Sequence, residues 1–544
     1  MKKESLKQLF KNNWPIFLIL TVLVFTTYGN SLNNAFVSDD IAEIRDNPNM
    51  GNFSYVFTHP YGFIRLILYY FVYQIAGLSP IGFRLINFFF HIGSVLLIYI
   101  LIKLLYSSKR IAFFSSAIFA VHPAISESII WISGGSYPQY TFFFLISLII
   151  YIVSKENWKY YLLSLIFFLF SFMSHPVMPL PLFLVFGLYE ICFGDIKKNW
   201  AKSIPYLMFS IAYTFINLSV IPIRTSVLQT VHYQEKGVDN LFIIVPIAVS
   251  SYFELIFWPK ILTLYHSELA FQTFQFIINC FVTIAYFAFL IFAFIKNKKL
   301  FFPLFLFILS LSPTLTPFRF NWIVAERYIY LGLLGIIVPV IYLFEKNIHR
   351  FKIKNLDVYI LGIIIILLLT RTIIRTTDWK SEDTLWIATG ITSPSSPNNH
   401  NNLGDVYGRQ GDKLRAVQEF QTAIDLKPNY ADAYHNMANA YRELGQMDKA
   451  LQDYNKAATL NPNLWQSYQN IAAIYFGEKK YDLALKSIQK AIQINPKNIN
   501  LYLNMGVVYL TSGNREKAKE TFQNILNADP NNQIAKQGII EASK

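Results

Sequence analysis

Up to about residue 375 the apolar positions of the chain come as long runs, among them WPIFLILTVLVFTTYG, FLISLIIYIV and VYILGIIIILLLT, divided by short polar breaks. Runs of this kind approach or span a hydrocarbon core of roughly 30 Å as helices. Eleven crossings are expected, at 14–29, 81–106, 110–122, 138–154, 159–173, 176–193, 203–221, 272–295, 300–315, 327–344 and 356–374. A further stretch, LFIIVPIAVSSYFELIFW (241–258), is apolar enough to cross, yet counting it would put the basic KNKK that follows on the wrong side. It is expected to be re-entrant or interfacial. Residues 375–396 read as a juxtamembrane linker, after which the apolar positions become sparser and periodic.

The period is strict. Pro394, Pro428, Pro462, Pro496 and Pro530 recur every 34 residues, small residues recur at Ala416, Ala450, Ala484 and Ala518, and aromatics at Tyr407, Tyr441, Tyr475 and Tyr509. This is the tetratricopeptide pattern, seen in YHNMANAYRELGQMDKALQDYNKAATLNP. Each period predicts a helix–turn–helix whose small residues let its helices approach and whose proline ends the second helix. Four repeats are expected, at 397–430, 431–464, 465–498 and 499–532, with a capping helix at 533–544. The expected fold is therefore all-α, a polytopic membrane bundle of about eleven helices at 14–374 followed by an α-solenoid. Stacked repeats offer a concave groove to protein segments; the other reading is that they only brace the assembly.

Composition sharpens this picture. The chain is 54% hydrophobic and only 15% charged, where a soluble protein averages about 25%. Its two cysteines, Cys192 and Cys280, lie in apolar runs, which leaves no disulfide framework or zinc site. The start runs into apolar sequence without a small-residue cleavage site, so 1–13 is expected to be a cytoplasmic N-terminus ahead of a retained helix. The net charge of +14 sits mainly before the repeats, where residues 1–396 hold 30 Lys and Arg. Nineteen of these fall in six segments on the N-terminal side of the membrane: MKKESLKQLFKNN, KLLYSSKR, KENWK, KKNWAK, KNKK and EKNIHRFKIK. That asymmetry sets a cytoplasmic N-terminus and extracytoplasmic repeats. No basic face of the kind that binds nucleic acid is visible. Few cysteines and no retrieval signal fit a bacterial inner (cytoplasmic) membrane.

Ionisable residues near membrane helices mark functional sites by default, and here most fall on the outer side. Asp39 and Asp40 stand in a first outer loop at 30–80, in AFVSDDIAEIRDNPN; His122 and Glu127 lie in AVHPAISESIIWISGG, His175 in SFMSHPVMPLP, and Glu326 with Arg327 in NWIVAERYIYLG. Taken alone, the aspartate pair reads equally well as a solvated turn. Asn87 and His91 share a helix face and are expected to make interhelical hydrogen bonds.

FVSDDIAEIRDNPN, GLSPIGFRLINFFFHIGSVLLIYILIKLL, HPAISESIIWISGG, AERYIYLGLLG and DWKSEDTLW, running in that order into the repeats, resemble the transmembrane and tetratricopeptide-repeat O-mannosyltransferases and their bacterial relatives. The resemblance covers essentially the whole chain and implies a GT-C glycosyltransferase that uses a polyprenyl-phosphate sugar on the extracytoplasmic side. It further implies that the acidic motif matching Asp39 and Asp40 is catalytic. There are departures: relatives often read WISGRKD where this chain has Gly134, Gly135, Ser136 and Tyr137, and a lysine is common where His175 stands. The arginine of a YRPL-like segment has no clean counterpart, although Arg65 lies about one turn away.

Glycosyl transfer to a hydroxyl needs a base, and a partly desolvated carboxylate with a raised pKa suits that role. Adjacent loop residues project differently, so one aspartate is the base candidate, with the likeness favouring Asp39. The other would hold the loop, a sugar hydroxyl or a metal. Arg327 is placed at the outer end of a helix, where a guanidinium can grip a lipid phosphate with two donors; a salt bridge to Glu326 or another helix is its structural alternative. Glu326, His122, Glu127, Arg65 and His175 are candidates for donor phosphate or sugar, while His122 and Glu127 serve equally as helix-end caps. A divalent cation could be held by Asp39, Asp40 and Glu127, although no dedicated ligand spacing is present. The expected partners are the polyprenyl-phosphate donor, membrane lipids and a protein acceptor in the repeat groove. Two alternatives remain open, a membrane scaffold without activity and a GT-C enzyme acting on a lipid or envelope glycan.

Overall fold

The structure is a computed structural model that describes residues 6–58, 62–154, 157–231, 240–267, 269, 273–316, 322–348, 350, 353 and 355–544. Of the basic positions used to orient the chain, Lys2, Lys3, Lys155, Lys352 and Lys354 lie outside the described residues. Among the described residues every regular element is helical, and the chain divides into two compact units, 1–392 and 393–544.

The first unit is a membrane bundle. Five of its helices are long and apolar enough to cross a membrane unaided: Lys11–Ser31, Pro80–Tyr106, Ser133–Val153, Thr273–Lys296 and Leu356–Asp378. Other expected crossings are shorter. Lys109–Val121 has 13 residues and Lys298–Leu311 has 14, and both are largely buried. A helix of 13 residues rises about 20 Å. Such helices need not match the bilayer, because protein rather than lipid surrounds them. The expected crossing at 327–344 starts later, as helix Leu333–Ile348, and Arg327 belongs instead to a preceding 3-10 turn, Glu326–Ile329. Residues 241–258 form one unbroken helix, Leu241–Phe257, with Pro246 inside it. Within the expected loop 30–80 lies the helix Phe63–Ala76, and the expected linker contains Glu382–Thr392.

The asparagine–histidine pair on Pro80–Tyr106 ties helices together. Asn87 donates to the Trp131 carbonyl at 3.0 Å, and His91 bonds the Tyr330 hydroxyl at 2.7 Å and the Ala120 carbonyl at 3.2 Å. Asn87 also explains a glycine: a Cβ on Gly135 would fall 1.8 Å from its Oδ1.

The second unit is four helix pairs and a cap. The pairs are Pro397–Arg409 with Lys413–Leu426, Ala431–Glu443 with Met447–Leu460, Trp465–Gly477 with Tyr481–Ile494, and Ile499–Thr511 with Arg515–Ala528; Gln533–Ser543 closes the stack. Ala416, Ala450, Ala484 and Ala518 are fully buried where the paired helices meet. Three pairs turn through a left-handed glycine, Gly411, Gly445 or Gly513, and the third pair has Lys479 there at φ 61°.

Candidate active site

The acidic loop is pinned from several directions. Arg84, fully buried on Pro80–Tyr106, donates to the carbonyls of Leu32, Asn34 and Ala35 at 2.9, 2.8 and 3.1 Å and to that of Ile130 at 2.8 Å. From the end of the unit, the Lys380 carbonyl accepts from the Ala35 N–H at 3.0 Å, and Glu382 accepts from the Ser38 N–H at 3.1 Å. Ser38 itself is left-handed, at φ 55°, and Ile41–Arg45 form a single π-helical turn. Backbone of this kind persists only where its surroundings over-determine it.

Asp39 and Asp40 end up in opposite settings. Asp40 is fully buried, and its Oδ1 accepts from the Ser133 N–H and hydroxyl at 2.8 and 2.7 Å. Burial pushes its pKa up to about 6, while the Ser133 bonds and Arg84 pull the other way. Asp39 is exposed and makes no hydrogen bond to any described residue. Its pKa is nonetheless raised, by desolvation first and by Glu43 second, against the pull of Arg327 and Arg65. Water reaches this carboxylate, while the protein around it disfavours its charged form.

Two arginines act on that carboxylate. Arg65 pairs with Glu43 at 3.2 Å and donates to the Ser133 carbonyl at 3.2 Å, so Ser133 braces both Arg65 and Asp40. Arg327 pairs with the fully buried Glu127, which also accepts from the Arg327 backbone N–H at 3.3 Å. Its guanidinium lies 5.4 Å from the Trp131 ring and 5.1 Å from that of Tyr328. A guanidinium has five N–H donors, so one pairing leaves most of them for a ligand.

The other candidates are bonded within the protein. Glu326 turns away from Arg327: it is fully buried, accepts from the Thr263 N–H, and pairs with Arg375 at 3.2 Å. Burial raises its pKa, opposed by Arg375. Of the two structural bridges considered for Arg327, to Glu326 or to another helix, it makes the second, with Glu127 of helix Glu127–Ile130, while Glu326 pairs with Arg375. His122 is buried with both ring nitrogens engaged, Nδ1 accepting from the Ala124 N–H at 3.2 Å and Nε2 bonded to the Ile256 carbonyl at 3.0 Å. It caps a turn. His175 accepts from the Val177 and Met178 N–H groups, and its ring lies 5.0 Å from Tyr137, itself 6.1 Å from Tyr328. Among the described residues no three His, Cys, Asp or Glu side chains converge as a metal site. Of the expected cation ligands, Asp40 is held by Ser133 and Glu127 by Arg327.

Several contributors carried little signal in the sequence. Arg84 and Ser133 hold the acidic loop, and Glu43, four residues after Asp39, anchors Arg65. A stack of three rings from separate segments stands nearby: Tyr265 lies 4.6 Å from Trp322 and 6.1 Å from Trp386. Burial first and Asp39 second raise the Tyr265 pKa.

Tetratricopeptide-repeat family models match residues 415–445, 431–464 and 475–537. Over the longer range, the chain is 26% identical to a protein O-mannosyl-transferase of Caenorhabditis elegans, across 76% of this chain and 63% of that protein. It is 22% identical to a protein O-mannosyl-transferase of Mus musculus, across 77% of this chain and 52% of the mouse protein. The chain therefore spans under two thirds of the length of these relatives. Solved structures similar to it include MamA, at 22% identity over 27% of this chain and 85% of that one with a TM-score of 0.25. Another is YrrB, described as a TPR protein with an unusual peptide-binding site, at 21% identity over 36% of this chain and 96% of that one with a TM-score of 0.26. The chain is a helical membrane protein with tetratricopeptide repeats, related to the protein O-mannosyl-transferases.

Proposed function

We propose that this protein moves a hexose, mannose in the first instance, from a polyprenyl-phosphate donor to a Ser or Thr hydroxyl of a protein on the extracytoplasmic side of a bacterial inner membrane. The repeats engage the acceptor. The names of the relatives support the reaction class, and one observation carries the site: Asp39 is an open carboxylate without a hydrogen bond, in the field of Arg65 and Arg327. In this reading Asp39 takes the proton of the acceptor hydroxyl as its oxygen bonds the anomeric carbon. The bond from that carbon to the phosphate oxygen breaks, and the lipid phosphate leaves with the electron pair. Donors of Arg327 hold the phosphate charge as it develops. Asp40 positions the loop through Ser133. A divalent cation would find Asp39 as its one uncommitted carboxylate among the three expected ligands.

Purified full-length protein in lipid nanodiscs, supplied with polyprenyl-phosphate hexoses and a Ser/Thr-containing polypeptide, tests this by mass spectrometry. The expected result is one hexose added to a hydroxyl, with Arg327→Lys keeping part of the rate because a point charge replaces a planar fork. No transfer from any polyprenyl-phosphate hexose, or full activity of Asp39→Asn, would overturn the assignment.

A further inference from the structure

Trp379 has no part in the chemistry proposed above, yet it is among the largest side chains that the protein buries completely. Its indole belongs to a closed circuit of side chains. It packs on Trp131, with ring centroids 6.1 Å apart and planes tilted by 32°. The Arg375 guanidinium lies 5.7 Å from the Trp379 ring, and that of Arg327 lies 5.4 Å from the Trp131 ring. A cation thus stands at each end of a pair of indoles. Arg375 is held by Glu326 at 3.2 Å and by Asp378 at 2.9 Å. Glu326 precedes Arg327 in the chain, which closes the circuit. Among the described residues neither indole N–H has a hydrogen-bond partner. A buried tryptophan usually finds one, so packing alone sets these two ring planes.

We infer that Trp379, clamped by Arg375, is a positioning residue that sets the plane of the Arg327 guanidinium through Trp131. The Glu127 carboxylate fixes one edge of Arg327. A guanidinium held at one edge can still swing about that bond, and an aromatic face within about 6 Å draws it into place. Trp131 supplies that face, and with its N–H unpaired it takes its tilt from the ring packed on it. Arg375 in turn stays where its two carboxylates put it. Recognition of a phosphate by a guanidinium is directional, with two parallel N–H donors meeting two oxygens, so tilting the plane costs a donor. One residue beyond Trp379, the Lys380 carbonyl accepts from the Ala35 N–H of the acidic loop. The same side chain therefore also spaces Arg327 from Asp39. This deepens the phosphate-holding role proposed above for Arg327 and rests on it for its purpose.

The test uses full-length protein in nanodiscs and two probes, phenylglyoxal, which modifies accessible guanidinium groups, and a polyprenyl phosphate that carries no sugar. Trp379→Leu should raise the rate of phenylglyoxal labelling at Arg327 several-fold, read by mass spectrometry, and leave the rate at Arg65 unchanged. Trp379→Phe keeps a ring and should fall between Trp379→Leu and the wild type. Affinity for polyprenyl phosphate should drop about fivefold to tenfold in Trp379→Leu and less in Trp379→Phe. In an Arg327→Ala background neither substitution should weaken binding further, because a loss that acts through Arg327 disappears with it. Where Trp379→Leu fails to insert, Trp379→Phe carries both comparisons. Unchanged labelling at Arg327, or equal losses of affinity with and without Arg327, would overturn the inference and make Trp379 a packing residue only. Labelling that responds as expected, in a wild-type protein that binds no polyprenyl phosphate, would sink the proposed donor and leave the positioning role standing.

Discussion

A base that removes a proton must be ionised, so the surroundings that lift the pKa of Asp39 also set an acid limit on the proposed reaction. Desolvation and Glu43 together outweigh the two arginines, and the limit should lie above the ordinary carboxylate value of about 4. The plot of kcat/KM against pH should fall on the acid side through that raised pKa. Asp39→Asn keeps the size and polarity of the side chain but cannot accept the proton, so kcat should drop by about 10²–10⁴-fold while donor binding persists. The residual rate should also lose the acid limb. An unchanged pH profile in the variant would move the base elsewhere. Neighbouring residues had to be told apart by structure, because adjacency in sequence says little about direction. In a 3-10 turn, with about three residues per turn, successive side chains point about 120° apart. That is why Glu326 reaches Arg375 while Arg327 reaches Glu127, and why the ERY motif did not reveal its pairing.

At the level of elements, the presence of the repeats was legible, since a 34-residue period with fixed small and aromatic positions leaves one register. Helix lengths in the bundle were less so: hydropathy cannot tell a short helix wrapped in protein from one facing lipid, and Lys109–Val121 is of the first kind. The ring stack of Trp322, Tyr265 and Trp386 was invisible, because no local spacing links three segments so far apart in the chain. One repeat also breaks its own rule. Lys479 occupies the left-handed turn position filled by glycine in the other three repeats, a conformation that costs a residue with a Cβ roughly 1 kcal/mol. Lys479→Gly should therefore stabilise the third repeat. Amide exchange in Trp465–Gly477 and Tyr481–Ile494 should slow by about threefold to fivefold if local opening governs it. Faster exchange would mean that the lysine side chain contributes more than its backbone costs.

For the whole molecule, the orientation expected from the basic segments is testable by fusion. A reporter after residue 400 should be active outside the cytoplasm and one after residue 298 should not. Cytoplasmic activity after residue 400 would reverse the side on which Asp39 lies. The bonds from Lys380 and Glu382 to the acidic loop close a gap of about 345 residues. Ribosomes add about 5–20 residues each second, so Asp39 is made roughly 20–70 seconds before the segment that fastens its loop. Until that segment has emerged, the Ser38 N–H lacks its bond to Glu382 and the Ala35 N–H its bond to Lys380. In the proposed reaction a nascent chain would therefore lack its fastened acidic loop until the last helix of the bundle is delivered, and the order of synthesis would keep it from glycosylating its own unfolded segments.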